Sequence, residues 1–339
     1  MMNRYSKYII AILVIGSGLR AQDTKYGGAF LELGIGPRAL ALGSSYVALA
    51  DDGSGFYWNP AGTAFLSSVN VSMMYANLFN SLENHGYVSI AMPVFGDAVI
   101  SASWIRLAVE DIPRYYDPNL LKERDERYLD PEGSGLRAGA SGSFTFANNA
   151  YFITFARVSH WKADLGWQYF ELPIDFAYGF NFKLIDIGLD DKKGSGMGVD
   201  GGIRFSTGLN DLFADENFGL LSVGVSVQDL FKTAITWDTD SKQKDEIEPA
   251  WRFGFAYDQP LLFIDSDFLF TYDIYTKYEG SWHLGSEFVY HKLLAFRFGF
   301  YDGDFTAGAG ISYWKLSADY AYQSHDLGNS HRVGIGFHF

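Results

Sequence analysis

Val333-Gly334-Ile335-Gly336-Phe337-His338-Phe339, the last seven residues of the chain, alternate between apolar side chains and glycine or histidine, and the chain stops on an aromatic residue. Successive side chains of a β-strand point to opposite faces, so this stretch has one apolar face and one small or polar face. A lipid-facing side and a lumen-facing side of this kind predict the final strand of an outer-membrane β-barrel. An edge strand of a soluble sheet can carry the same alternation, so other parts of the sequence are needed to distinguish a barrel from a soluble sheet.

The N-terminus has the pattern of an export signal. Arg4 and Lys7 precede an apolar run from Tyr8 to Ile15, and a small-residue segment then leads to Ala21. This pattern predicts a secretory signal peptide over residues 1–21. A retained membrane anchor is the alternative, but the run is shorter than the roughly 20 apolar residues that cross a bilayer. No later segment reaches that length either, so we expect an exported chain that is periplasmic, secreted or an outer-membrane barrel.

Composition favours the barrel among these three. Aromatic residues make up 17% of the chain, glycine occurs 37 times, and the mean hydropathy is -0.04. In a barrel only alternate residues face lipid and aromatic girdles mark both interfaces, which gives such a composition. A large soluble β-sandwich is the alternative. Cysteine is absent, which excludes disulfides and thiolate chemistry. The net charge of -14 argues against nucleic-acid binding, which requires a basic face.

Residues 22–66 are rich in small and turn-forming residues rather than alternating, and we expect them to form a compact N-terminal plug. Proline fixes its own φ and restricts the residue before it, so Asn59-Pro60-Ala61-Gly62 predicts a rigid turn. Asp51 and Asp52 stand beside permissive glycines and could offer oxygen ligands to a hard cation, but they lack the spacing of a calcium loop. These six residues are the candidate ligand-binding motif, purely structural turns are the alternative, and no metal site is predicted.

Period-2 runs recur from residue 67 to residue 339, separated by turn residues. The candidate strands are 68–77, 85–93, 97–109, 149–159, 173–187, 197–207, 217–228, 248–257, 261–276, 280–290, 293–301, 304–313, 316–323 and 331–339. Their number is even, as in closed single-chain barrels, with twelve strands as the alternative. Placing Phe339 on the periplasmic side puts the long connections 110–148, 229–247 and 324–330 outside. We therefore predict an all-β transmembrane outer-membrane barrel of about 14 antiparallel strands, with Phe337 and Phe339 as its signal to the barrel-assembly machinery.

The sequence predicts no enzyme. Seven histidines are scattered without metal-ligand spacing, and neither a nucleophile elbow nor a phosphate loop is present. A lipid deacylase is the remaining enzymatic alternative, and no catalytic residue or cofactor is assigned. The charge-rich segments 117–132 and 238–248 are interpreted as solvated outer loops, with a docking surface as the alternative. Six strand residues are expected to face and fill the interior: Arg252, Asp265, Asp267, Asp273, Glu287 and Arg297.

The segment from Leu40 to Asp52, followed by Tyr57-Trp58-Asn59-Pro60-Ala61-Gly62, resembles the N-terminal signature of the PorV/PorQ group of outer-membrane proteins. That group is related to the FadL long-chain fatty-acid transporters, whose plug has a similar Asn-Pro-Ala turn. The segment from Val223 to Leu230 resembles a strand end of the family, with Asp229 where asparagine is usual. Further matches are 283–288, 296–301, 306–311, 319–322 and His331-Arg332.

The resemblance implies a FadL-like barrel with an N-terminal plug in the outer membrane of a Gram-negative-type bacterium. It also implies a non-enzymatic role in transport or protein secretion, as in PorV-type proteins that receive cargo for type IX secretion. The alternative is a FadL-like channel for long-chain fatty acids or other hydrophobic small molecules, and a purely structural porin is a further one. The expected partners are outer-membrane lipid, the barrel-assembly machinery, and either secreted cargo proteins or hydrophobic ligands.

Overall fold

A computed structural model describes residues 28–78, 82–114, 142–164, 166, 171–324 and 328–339. The expected signal peptide (1–21), the first residues of the expected plug (22–27) and the charge-rich segment 117–132 lie outside these ranges. They therefore stay predictions.

Sixteen strands form one sheet among the described residues. Their bounds are β1 Asn70–Leu78, β2 Glu83–Val94, β3 Ala98–Arg114, β4 Gly142–Asp164, β5 Glu171–Leu189, β6 Lys192–Gly208, β7 Leu220–Gln228, β8 Thr233–Trp237, β9 Lys244–Ile247, β10 Ala250–Leu261, β11 Ser266–Tyr275, β12 Ser281–Tyr290, β13 Leu294–Tyr301, β14 Asp304–Tyr313, β15 Leu316–Gln323 and β16 Ser330–His338.

Fourteen of these strands close into an antiparallel barrel. Neighbours along the chain pair with one another, β7 pairs with β10 through Gly224↔Gly254, and β16 closes the ring on β1 through Met73↔Ile335. The predicted count of fourteen strands is confirmed. The remaining two strands, β8 and β9, form a hairpin that pairs with β6 at Gly194–Gly196. This hairpin lies in the predicted connection 229–247, where the sequence analysis assigned no strand.

The two faces of the wall differ as the alternation predicts. On β16, Val333, Ile335 and Phe337 are exposed on the outer face, whereas Gly334 and Gly336 are buried on the inner face. Trp104 and Tyr151 stack on the outer face, with ring centroids 6.5 Å apart and planes at 7°. An outer face on which many large apolar and aromatic side chains are exposed suits lipid contact. Among the described residues, no helix combines the length and hydropathy needed to cross a bilayer.

The connections differ between the two ends of the barrel. We call the end bearing Phe339 the C-terminal rim and the opposite end the far rim. At the C-terminal rim the connections 95–97, 291–293 and 314–315 are tight, as predicted. The connection expected at 160–172 is shorter than predicted, whereas the one expected at 208–216 runs from residue 209 to residue 219. The β4–β5 ladder continues to Asp164↔Glu171, and the helical turn Leu209–Phe213 occupies the second connection.

The core lies inside the barrel rather than between two sheets. Residues 28–66 fill the lumen through four helical turns, Ala29–Leu33, Pro37–Ala41, Gly55–Trp58 and Pro60–Phe65. Their large side chains are almost fully buried, among them Leu40, Leu42, Tyr46, Phe56 and Trp58. Burial of this apolar surface against the inner wall stabilises a segment whose helices are too short to be stable alone.

Candidate functional site: the plug, its seat and a recess in the wall

Glycines on the inner wall form the surface on which the plug rests. A Cβ atom built on any of eight of them would lie 2.0 to 2.8 Å from a plug atom, so only glycine permits this approach. We call these residues the glycine seat: Gly179, Gly202, Gly224, Gly254, Gly285, Gly299, Gly308 and Gly334. Three pairs of them are direct neighbours across strands: Gly179↔Gly202, Gly224↔Gly254 and Gly285↔Gly299. The seat therefore forms a nearly continuous band.

The plug follows this band around the wall. Pro37 lies against Gly334 of β16, Ala41 against Gly308 of β14, and Pro60 against Gly179 of β5. The chain from residue 37 to residue 60 thus travels around the lumen opposite to the strand order. Since each contact is backbone against backbone or a short side chain, the plug is closely fitted to the inner wall from β16 back to β5.

Asn59 fixes the end of this path. Its Nδ2 donates to the carbonyl oxygens of Val47 (2.8 Å) and Ile203 (3.1 Å), and its Oδ1 accepts from the Ala61 N–H (3.1 Å). The side chain is fully buried, and all its contacts join one part of the plug to another or to β6. Asn59, Pro60, Ala61 and Gly62 line none of the cavities described below. The structure thus places these candidate residues in a structural contact, and their role as ligand contacts stays a prediction.

A chain of charges joins the plug to the wall. Arg38 on the plug donates to both carboxylate oxygens of Glu287 (3.0 and 2.8 Å) and to Asp51 (2.6 Å). Arg297 on β13 donates to the same Glu287 and to Asp319 (2.6 Å). We call these five residues the charge chain. A buried carboxylate between two guanidiniums is tightly held, because each partner would otherwise be a desolvated single charge.

Asp51 and Asp52 line a polar cavity of about 260 Å³ near the C-terminal rim. Asp52 accepts hydrogen bonds from the Tyr46 hydroxyl (2.8 Å) and from Ser54 (2.6 and 2.8 Å). Burial raises the pKa of the Asp52 carboxyl, although the nearby Arg38 opposes this, and burial likewise raises the pKa of the Tyr46 hydroxyl. The part of the chain that the structure describes holds no cluster of three metal-ligating side chains. This cavity suits polar or charged groups.

A second buried ion network was not found from the sequence. Lys183 on β5 lies 2.8 Å from Asp200 and 2.7 Å from Asp229. Asp229 stands where the family resemblance has asparagine, and it has a left-handed φ of 58°. Its negative charge balances Lys183, which gives the departure a physical reason. The alternation of β5 and β6 was the signal that could have placed Lys183 and Asp200 inside.

Most of the strand charges expected inside are found there. Arg252, Asp273, Glu287 and Arg297 are buried on the inner wall, and Asp267 is half-buried. Asp265 is not inside. It lies in the turn before β11, and its side chain is 73% exposed. The expectation for Asp265 was wrong because β11 begins at Ser266, five residues after the start of the predicted strand 261–276.

The outer face of β1–β3 carries a recess of about 330 Å³, which we call the wall recess. Gly86 offers no side chain on this face, so a hollow remains between its neighbours. Apolar side chains make most of the lining, and Asn84, His85, Arg106 and Glu110 supply its polar part. The apolar lining is formed by Tyr75, Val88, Trp104, Ala108, and by Met74 and Tyr87 at the back.

The back of the wall recess is close to the plug. Tyr87 belongs to the inner face of β2, and its ring centroid lies 6.3 Å from that of Phe56 on the plug. Phe56 in turn packs against Phe152 of β4 at 5.1 Å. Tyr87 therefore separates the lipid-facing recess from the apolar core of the lumen. Gly86, an outward-facing glycine between Asn84 and Val88 on β2, was the sequence signal of this recess.

The residues of the expected assembly signal lie at the end of β16. Phe337 faces outward, and Phe339 is 64% exposed with its N–H donating to the Val69 carbonyl (2.9 Å). This places both aromatic rings on the outer surface at the C-terminal rim. Recognition by the assembly machinery stays a prediction.

Comparisons with known proteins give three similarities. No protein-family profile matches the chain. A UPF0164 protein of Treponema pallidum (strain Nichols) is 29% identical over 253 residues, which are 71% of this chain and 52% of that protein. The chain thus spans about half the length of this curated relative. Among solved structures, the Ralstonia pickettii toluene transporter TbuX has a TM-score of 0.47 at 9% identity, covering 90% of this chain and 98% of that one. The Pseudomonas putida toluene transporter TodX has a TM-score of 0.44 at 8% identity, covering 89% and 96%.

Proposed function

We propose that the protein is a plugged transporter of the outer membrane that binds hydrophobic small molecules in the wall recess and passes them toward the plug. The observation that carries the proposal is the wall recess itself, an apolar hollow of about 330 Å³ on the lipid-facing side of the barrel. Its volume falls in the range of about 300–1,000 Å³ that small-molecule sites occupy. The resemblance to the FadL-related PorV/PorQ group supports the same class of function and location.

The geometry suggests how such a ligand moves. A hydrophobic molecule reaches the recess from the membrane without crossing water, because the lining faces lipid. Tyr87 and Met74 then separate it from Phe56 and the core of the lumen. Passage requires a shift of Tyr87 and of the plug segment behind it. Arg106 and Asn84 offer donors that can orient a polar head at the edge of the recess.

Filling the recess tests the proposal. Ala108 lines the recess, whereas Ala102 is exposed on the same face of the same strand outside it. Uptake of radiolabelled palmitate by cells that depend on this protein should fall about tenfold with Ala108→Phe and stay at the wild-type rate with Ala102→Phe. Heat-modified gel mobility verifies that both variants fold. Equal uptake by wild type and Ala108→Phe would overturn the proposal.

A secretion accessory of the PorV type is the second candidate, and the match of residues 40–62 to that group favours it. A cargo receiver would bind exported proteins at the far rim, where the long connections were predicted. Mass spectrometry of the protein purified gently from its own outer membrane separates the two roles. Co-purifying exported proteins with a shared C-terminal domain would support secretion, and co-purifying hydrophobic small molecules would support transport.

A further inference from the structure

Arg332 on β16 is a buried cation whose charge no described residue balances. It is 3% exposed on the inner wall near the far rim. One terminal nitrogen donates to Gln323 (2.7 Å) and Ser330 (3.0 Å), and the other reaches the Leu33 carbonyl at 3.4 Å. Its Nε has no hydrogen-bond partner in the described part of the chain. A buried charge without a counter-charge is costly, so this arrangement calls for an anion.

Other buried cations of the lumen have a carboxylate or an aromatic ring as partner. Arg38, Arg297 and Lys183 each pair with carboxylates. Arg204 has no carboxylate, but it donates to the Leu49 carbonyl and to hydroxyls and covers the Phe65 ring at 4.2 Å. Arg252 has no carboxylate partner, and its Nε and one terminal nitrogen lack partners, but its guanidinium lies over the rings of Tyr275 (3.9 Å) and Trp58 (4.9 Å). Arg332 has hydrogen bonds but neither a carboxylate nor an aromatic ring as partner among the described residues, and it borders open space.

A cavity of about 110 Å³ adjoins Arg332. Its polar lining is mostly of donors, with hydroxyls from Ser44, Tyr301 and Ser330 beside the guanidinium and the Gln323 amide. The one carboxylate in the lining belongs to Glu32, and it already accepts from Lys277 and the Tyr278 hydroxyl. A pocket of hydrogen-bond donors around an unpaired guanidinium matches the oxygens of an anion.

A second unsatisfied side chain lies on the same rung. The register pairs Arg332 with Ala76 and Ala76 with His85, so the two side chains flank one small residue on the inner wall. His85 is 1% exposed, and neither of its ring nitrogens has a described partner. His85 lines the wall recess rather than the cavity beside Arg332, so the anion site rests on Arg332 and its own cavity.

We propose that this cavity binds an oxyanion, a carboxylate or phosphate group, with Arg332 as its main contact. The anion is either free or the head group of an amphiphile. Arg332 offers its free Nε–H, and the hydroxyls of Ser330 and Tyr301 complete the site. The proposal does not depend on the wall recess, which lies on the opposite face of the wall.

The test measures thermal unfolding and calorimetric binding of the full chain in detergent at constant ionic strength. The probes are inorganic phosphate and acetate as free anions, and octyl phosphate and octanoate as chain-bearing ones. We expect saturable binding that raises the unfolding temperature as ligand concentration increases. Equal binding of short and long probes identifies a free anion, and binding of the long probes alone identifies the head group of an amphiphile.

Variants show whether the site is the one proposed. Arg332→Gln should weaken binding by about tenfold or more, and Ser330→Ala and Tyr301→Phe, which keep the cation, by a few fold. Arg157→Gln removes an exposed cation of β4 that lines neither cavity and should leave anion binding unchanged. Should Arg332→Gln fail to fold, the Ser330→Ala and Tyr301→Phe variants still show whether the anion binds in this cavity.

Three outcomes would overturn the proposal. The first is no saturable binding by any probe. The second is unchanged affinity in Ser330→Ala and Tyr301→Phe, or in a folded Arg332→Gln. The third concerns Asp326, which precedes β16 and lies outside the described residues. Anion binding that appears only in Asp326→Asn would mean that the chain's own carboxylate balances Arg332.

Discussion

Glu287→Gln should weaken the attachment of the plug to the wall without unfolding the barrel. Glu287 is 3% exposed and accepts hydrogen bonds from Arg38 of the plug and Arg297 of the wall. Glutamine keeps the size of the side chain but removes the negative charge between the two guanidiniums. Arg38 then retains only Asp51, which belongs to the plug itself, so its ionic link to the wall is lost.

The size of the effect follows from the burial of this link. Removing one partner of a buried ion pair costs about 3–5 kcal/mol, because the remaining charge stays desolvated. That range corresponds to roughly 150- to 5,000-fold in the equilibrium between seated and released plug. The closed ladder of fourteen strands does not depend on Glu287, so barrel stability should change far less than plug seating.

Hydrogen exchange read by mass spectrometry separates these two effects. In Glu287→Gln we expect the backbone amide hydrogens of residues 37–58 to exchange roughly 150 to 5,000 times faster than in wild type. The amides of β12 and β13 should keep their protection. Glu279→Gln, an exposed carboxylate in the connection after β11, is the matched control and should change neither. Wild-type protection of the plug in a folded Glu287→Gln protein would refute the reasoning. A double variant with Arg38→Met should recover part of the loss, since it removes the cation that has lost its carboxylate on the wall.

Three further predictions concern the seat and the buried charges. Gly202→Ala places a Cβ 2.0 Å from the Asn59 Oδ1 and should disturb the three hydrogen bonds of the Asn59 side chain, which destabilises plug seating by about 3 kcal/mol. The control is Gly201→Ala on the outer face, where the nearest contact of the new Cβ is at 3.6 Å. Measured by the same hydrogen exchange, this control should leave plug seating unchanged. Lys183→Met leaves Asp200 and Asp229 buried together without a cation and should lower the free energy of unfolding, measured in urea, by about 3–5 kcal/mol. A variant as stable as wild type would contradict this prediction. The fold raises the pKa of Asp52 above 3.8, so ionisation of this carboxyl costs stability as the pH rises above that value. In urea titrations the free energy of unfolding of Asp52→Asn, relative to that of wild type, should therefore increase from pH 4 toward neutrality. A difference between the two proteins that does not change with pH would argue against the raised pKa.

The strands were predictable because their signal is local. A strand places successive side chains on opposite faces, so the alternation from Val333 to Phe339 indicates which side chains face lipid and which face the lumen. The same rule gave all fourteen barrel strands. The hairpin of β8 and β9 was missed because it is short, lies in a charged connection and is held by partners far away in sequence, as in Ile235↔Gly196.

The site was less predictable than the fold. Asn59, Pro60, Asp51 and Asp52 were singled out because turns and paired acids have recognisable composition. Their contacts were not visible, since the partner of Asn59 is the backbone of Ile203 and the partner of Arg38 is Glu287, 249 residues away. Interior charges on strands followed from alternation, except near a turn, as for Asp265.

The sequence by itself determined the barrel, its strand count and the sidedness of each strand, because these depend on period-2 alternation and turn chemistry. The tertiary structure alone decided where the plug lies, which glycines seat it, and which charges are balanced. A glycine in a strand looks the same whether it faces lipid, as Gly86 does, or meets a plug atom, as Gly202 does. Only the closure of the wall around residues 28–66 brings these groups together, and it leaves Arg332 without a counter-charge among the described residues.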